Sequence, residues 1–227
     1  MARTRMQEYP IANFAAMWPT DEIGTVQSAN DTALLGIAKA TVYALADATG
    51  WANTNGFCLS WPPAVRVSGV DDAALLVGKF RGALDKVMGR NGNIHLGGGM
   101  LENSGATVAI NDLLLQSHAG RLRFFPVWDA TALGPAAFTT LRAYGAFLVS
   151  GSIDKAGKMG PVTILSEMGG LCVFEWEAEQ RQQAGAVVPS VCSSGSGGCK
   201  HVPVTKVGPG QGLFSFPTVA GEEYVIN

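Results

Sequence analysis

Charge is what this sequence has least of. Charged side chains make up 15% of its 227 residues, against about 25% in an ordinary soluble domain. The 16 basic residues are scattered among 18 acidic ones, with no stripe that could follow a phosphate backbone or an anionic bilayer. Nucleic acid and membrane surfaces are therefore not expected partners, and an uncharged partner is favoured. Long apolar runs are also missing: none approaches the roughly 18 consecutive residues that cross a bilayer. The first residues, MARTRMQEYPIANF, include basic side chains but not the apolar core of a signal peptide. Localisation stays open.

Glycine, by contrast, is plentiful. There are 29 in the chain, about 13% where roughly 7% is usual, which predicts many loops and close packing. Hydrophobic residues reach 47%, ample for a core. The length exceeds one average domain and suits one large or two small ones.

Of the four cysteines, Cys58 and Cys172 stand alone, whereas Cys192 and Cys199 share the segment VCSSGSGGCKH. Six small intervening residues allow either reduced loop cysteines or a disulfide. His201 makes a metal site conceivable, but zinc ligands usually have about two to four residues between cysteines. No metal is expected.

Helical spacing dominates the first half. In NDTALLGIAKATVYALADATG, the residues Leu34, Ile37, Ala38, Val42 and Leu45 form one apolar stripe, with Asn30 or Asp31 to cap its start and Gly50 to end it. A second helix is predicted over about 71 to 88, with Leu75, Leu76, Phe80, Leu84 and Val87 inward. A third is predicted over about 104 to 118, burying Ala106, Ala109, Ile110, Leu113, Leu114 and Ser117, with His118 in its last turn facing the C-terminal dipole. Between the first two, GWANTNGFCLSWPPAVRV sets Trp51 and Trp61 beside Asn53 and Asn55. Aromatic faces with side-chain amides suit a sugar site, and core tryptophans explain the same residues.

After Gly120 the texture changes to short β-branched or aromatic segments such as RLRFFPVW, GAFLVSGSI and PVTIL, separated by Gly, Pro and Ser. Cys172, Phe174 and Trp176 alternate with Val173, Glu175 and Glu177, the period of a half-solvated strand. Residues 187 to 200 have the lowest complexity and are expected to form an exposed loop. The boundary implied is 1–120 helical and 121–227 strand-rich.

Chemistry concentrates in NIHLGGGMLENSGATVAINDLLLQSH, residues 93 to 118. Three glycines let backbone approach a ligand, Glu102 offers acid/base chemistry, and Asn103 either contacts ligand or caps the following helix.

The string from GGGMLENSGATVAINDLLLQSHAGRLRFFPVW to LRAYGAFLVSGSI resembles the junction between the helical barrel and the C-terminal β domain of the inverting α-L-fucosidases of glycoside hydrolase family 95. The similarity covers nearly the whole chain to about Glu175. The resemblance implies the C-terminal portion of an (α/α)6 helical toroid followed by a small antiparallel β-sandwich. It also implies an oligosaccharide or glycan substrate and hydrolysis of α-L-fucosyl or related bonds with inversion. Against the family pattern HPPFQIDGNFG, the residues His95, Asn103 and Gly105 fall in register. The family's aspartate falls on Leu101, and Glu102 lies one residue later.

An inverting glycosidase needs two opposed carboxyl groups about 6.5–9.5 Å apart, one protonating the leaving oxygen and one activating water. The resemblance places the acid upstream of anything in this chain. Glu102 is then the catalytic candidate, with His95, Asn103, Trp51, Asn55 and Trp61 as substrate contacts. The chain is expected to be the last part of a larger barrel protein. No cofactor is implied, because two carboxylates suffice. The alternative is a non-catalytic carbohydrate-binding or structural module that retains a remnant of the barrel.

Overall fold

The computed structural model describes residues 17, 29–49, 51, 56–94, 100–176, 188–195, 198–207 and 212–227. The chain divides into two compact units, Met1–Leu113 and Leu114–Asn227.

In the first unit the helices are α1 (Ala29–Thr49), α2 (Gly56–Arg66), α3 (Ala73–Val87) and α4 (Met100–Leu114). Helix α1 buries Ala38, Val42, Leu45 and Ala46. The start of its expected stripe does not follow: Leu34 and Ile37 are 48% and 64% exposed. Just beyond α1, the Trp51 N–H donates to the Ala46 carbonyl at 2.8 Å, and Trp51 adopts a positive φ of 62°, which turns the chain back.

Helix α2 was not expected, since it contains Pro62 and Pro63 and proline removes a donor and crowds the preceding turn. Tertiary contacts override that cost. Trp61 packs against Trp51 at 4.6 Å and against Phe80 of α3 at 4.9 Å, and its indole N–H donates to the Trp51 carbonyl at 3.2 Å. Tyr43 adds an edge-on contact to Trp51 at 5.5 Å and shares a 2.9 Å hydrogen bond with Ser68. Burial pushes the Tyr43 hydroxyl up to about 12. Between α2 and α4, the Arg66 Nε donates to Asp112 at 2.8 Å, with both side chains buried.

The second unit begins with β1 (Leu115–Gln116), β2 (Arg123–Phe124) and the short α5 (Ala130–Leu133). There follow β3 (Ala136–Ala143), β4 (Phe147–Ile153), β5 (Val162–Ser166), β6 (Gly170–Glu175), β7 (Val191–Gly195), β8 (Gly198–Val202), β9 (Thr205–Lys206), β10 (Leu213–Thr218) and β11 (Glu223–Ile226). They form a pair β1-β2, a three-stranded sheet β6-β10-β9 and a six-stranded sheet β3-β4-β5-β11-β7-β8. Alternation decides which side chains go inside: Phe147, Val149 and Ile153 on β4, Val162 and Ile164 on β5, and Tyr224 and Ile226 on β11 are buried in one core with Cys172 and Phe174 of β6. Phe174 is its hub, with ring contacts to Phe124, Trp176, Phe214 and Phe216 between 5.9 and 6.4 Å.

These observations correct the expected architecture. Among the described residues, strand makes up 34% and helix 38%, with three antiparallel sheets, so the fold is not the end of a helical toroid carrying a small β-sandwich. A reading weighted by helical periodicity underestimates sheet, because short strands broken by Gly, Pro and Ser carry a weak periodic signal. The third helix ends at Leu114 rather than His118, since Leu115 and Gln116 pair with Phe124 and Arg123 instead. His118 lies in a 3-10 turn and is buried. The exposed loop expected over 187 to 200 contains the β7-β8 hairpin, whose register runs from Val191↔Val202 to Gly195↔Gly198, and Cys192 and Cys199 are disulfide-bonded across it.

Candidate binding pocket

A cavity of about 220 Å³ lies within the second unit. Three separate segments build it. The connection after β1 supplies Ser117 and Arg121, the β3-β4 turn supplies Tyr144, and β6 supplies Leu171 and Val173 from its outward-facing positions, with Phe147 beside them.

Each wall has a local cause. In the β3-β4 turn, Gly145 and Ala146 take positive φ values of 86° and 58°. A Cβ at Gly145 would lie 2.6 Å from the Phe147 ring, so glycine is required on both conformational and steric grounds. The Tyr144 backbone N–H donates to Ser117 Oγ at 3.0 Å, fixing the turn against the β1 connection. The Tyr144 side chain remains 61% exposed, leaving ring surface for a ligand.

Arg121 is held from behind. Its Nε lies 2.7 Å from Glu175 Oε1, while Arg123 Nε lies 2.8 Å from Glu175 Oε2. Arg123 also donates to Gln116 Oε1 at 2.9 Å, and Gln116 is fully buried. One carboxylate thus ion-pairs with two guanidinium groups, and its hydrogen bond goes to Arg123, which the buried amide also orders. The segment that carries both arginines is locked to β6 by backbone bonds, Leu122 N–H to Val173 O at 2.9 Å and Glu175 N–H to Leu122 O at 2.8 Å.

The lining therefore combines an aromatic ring, a guanidinium, a hydroxyl and an apolar side. Among the described residues it contains no carboxylate. Glu175 sits behind Arg121 and is committed to the two arginines. Cys172 is no nucleophile here, because its side chain points into the core and burial pushes its thiol up to about 12.

Of the residues expected to form a site, the described ones, Trp51, Trp61 and Asn103, do not line this cavity. Trp51 and Trp61 are 4% and 1% exposed, so their rings serve the core of the first unit and present no stacking platform. Asn103 Oδ1 accepts from the Ile94 N–H at 3.0 Å, and its Nδ2 donates to Asn93 Oδ1 at 3.2 Å. Its amide thus ties the preceding loop to the start of α4. Gly105 is buried within that helix. Glu102 is also on α4, but its side chain lies outside the described residues, as do His95, Asn53 and Asn55. The sequence signal for the cavity was LRAYGAF, an aromatic followed by glycine between two strands, which reads equally as an ordinary hairpin.

Among the described residues, one group could hold a metal ion: Cys192, Cys199 and His201. No family model matches the chain, and no curated protein matches it.

Proposed function

We propose that this chain binds glycan through the Ser117–Arg121–Tyr144 pocket, as a non-catalytic carbohydrate-binding module. The observation that carries this reading is an exposed Tyr144 ring beside an ion-paired guanidinium and a hydroxyl. A sugar offers C–H faces to the ring and hydroxyls to the polar groups. Drug-sized ligands occupy cavities of about 300–1,000 Å³, so 220 Å³ suits a single terminal sugar ring. The resemblance to α-L-fucosidases directs the choice toward α-L-fucosyl ends. A 6-deoxy sugar would set its methyl group against Leu171 and Val173. Titration of the full chain with fucosylated and galactosylated oligosaccharides tests the reading. Tyr144→Ala is expected to weaken binding about tenfold, the equivalent of one aromatic stacking contact of about 1.4 kcal/mol. Unaltered affinity in that variant would remove the pocket from the binding site.

A second reading is that the chain is part of an α-L-fucosyl hydrolase, supported by the in-register His95, Asn103 and Gly105 of the glycine-rich stretch. Its test is turnover of fucosylated oligosaccharide before and after Glu102→Gln in the protein that contains this chain. Equal turnover would exclude Glu102 from the mechanism.

A further inference from the structure

Spacing along the chain argues against a metal at Cys192 and Cys199, but register across the hairpin brings a third ligand to them. Cys192 pairs directly with His201, and Ser194 pairs with Cys199. Directly opposed residues in antiparallel strands share a face, and residues two apart on one strand do as well. Cys192, Cys199 and His201 therefore project from the same face of β7-β8. Their ligand atoms all lie within 4.8 Å of one another. Cys192 Sγ is 4.0 Å from His201 Nδ1, close to the sulfur–nitrogen edge of about 3.5 Å in a tetrahedral zinc site with ordinary bond lengths.

We propose that these three residues form a redox-gated site for a borderline-soft divalent cation such as Zn²⁺. While the disulfide stands, neither sulfur is a thiolate, and the site is closed. Reduction breaks the S–S bond and yields two thiols. With a phosphine as reductant, the phosphorus takes up oxygen from water to become phosphine oxide, and the two hydrogens of that water go to the sulfurs. Binding of the cation then releases two protons to solvent, leaving two thiolates and a neutral imidazole as ligands.

The hairpin makes the site ready once it is opened. Backbone pairing continues along β7-β8, and β7 is also paired to β11 through Cys192↔Val225 and its neighbours. Loss of the disulfide does not release the strands, so the two sulfurs and the imidazole stay near one another. Cys199 and His201 are exposed, which provides access for the ion and the reductant, while Cys192 is buried and anchors the site. Three protein ligands leave a fourth tetrahedral position for water.

Cobalt titration of the full chain tests this, with all samples carrying Cys58→Ser so that the remaining other thiol is Cys172, buried in the core. After phosphine reduction and removal of the reductant, one equivalent of Co²⁺ is expected to bind with thiolate charge-transfer absorption and tetrahedral d–d bands. The oxidised protein is expected to show neither. Cys199→Ser and His201→Ala, both at exposed positions, are each expected to weaken Co²⁺ and Zn²⁺ binding at least about tenfold. Far-ultraviolet circular dichroism checks that each variant keeps its strands. Absence of the charge-transfer band in the reduced protein would overturn the proposal. So would a reduced His201→Ala that binds as tightly as its parent.

Discussion

The two units meet the same requirement, removal of apolar surface from water, with different geometry. In the strand-rich unit, the inward positions of β4, β5, β6, β10 and β11 converge on one core around Phe174. The helical unit buries Trp51, Trp61, Leu76 and Phe80 but leaves Leu34, Ile37, Leu75 and Ile110 exposed. A sheet face closes when its alternate residues find one opposing layer. A helix with a wide stripe needs neighbours along its whole length. The strand-rich unit thus gathers its sheets on Phe174, whereas the described part of the helical unit gathers its helices on Trp51, Trp61 and Phe80 and adds the buried Arg66–Asp112 pair.

The sharpest way to break that contrast is to empty each core at its hub. Phe174→Ala is expected to cost about 3–5 kcal/mol, as is Trp61→Ala, measured by urea unfolding with near-ultraviolet circular dichroism. If the contrast holds, Phe174→Ala removes the strand signal in one step, and Trp61→Ala lowers the helical signal first. A reversed pattern would show that the units do not differ in this way.

Next in size is the buried pair of the helical unit. Asp112→Ala leaves Arg66 buried at 8% exposure without its carboxylate partner, and is expected to cost about 3 kcal/mol. Arg123→Ala, in the partly exposed cluster around Glu175, is expected to cost about 1 kcal/mol by the same measurement. Equal losses would mean that both units rely on ion pairs alike.

Smaller still are changes at the exposed aliphatics. Ile37→Ser and Leu75→Ser are expected to change stability by no more than about 0.5 kcal/mol. A loss of 2 kcal/mol or more in thermal unfolding would show that these side chains are covered in solution.

The smallest expected effect is a pH dependence. Hydrogen bonds from Lys79 and Trp51 hold the Asp47 carboxyl below its usual range. A depressed folded value stabilises the protein above the unfolded value of about 4 and is lost as pH falls through the folded one. Asp47→Asn is expected to flatten the acid limb of the stability profile below about pH 4, and an unchanged limb would discount the contact. Cys172 gives a complementary check in the other unit: with its thiol pushed up to about 12, it is expected to resist alkylation at pH 8 until the core opens.

Several local features could be read directly from residue order. The burial of Cys172 and Phe174 followed from alternation, and α1 and α3 followed from helical spacing to within about two residues at their ends. Helix α2 could not be read, because Pro62 and Pro63 argue against it locally and distant contacts, Trp51 and Phe80 packed on Trp61 among them, outweigh them. The β7-β8 hairpin was hidden by serines and glycines whose strand is held by backbone pairing to β11. The pocket was hidden for another reason. Ser117, Arg121, Tyr144 and Leu171 belong to separate segments, and no spacing rule joins them.

By itself, the sequence determined composition, the periodicity of α1 and α3, and the two faces of β6. Those depend on neighbours within a few residues, where backbone period and side-chain polarity act directly. The tertiary structure decided that strand content rivals helix, that Trp51 and Trp61 serve a core, that Tyr144 faces a cavity beside Arg121, and that His201 lies opposite Cys192. Each of these is a contact between distant segments, and only the folded chain determines which distant segments meet.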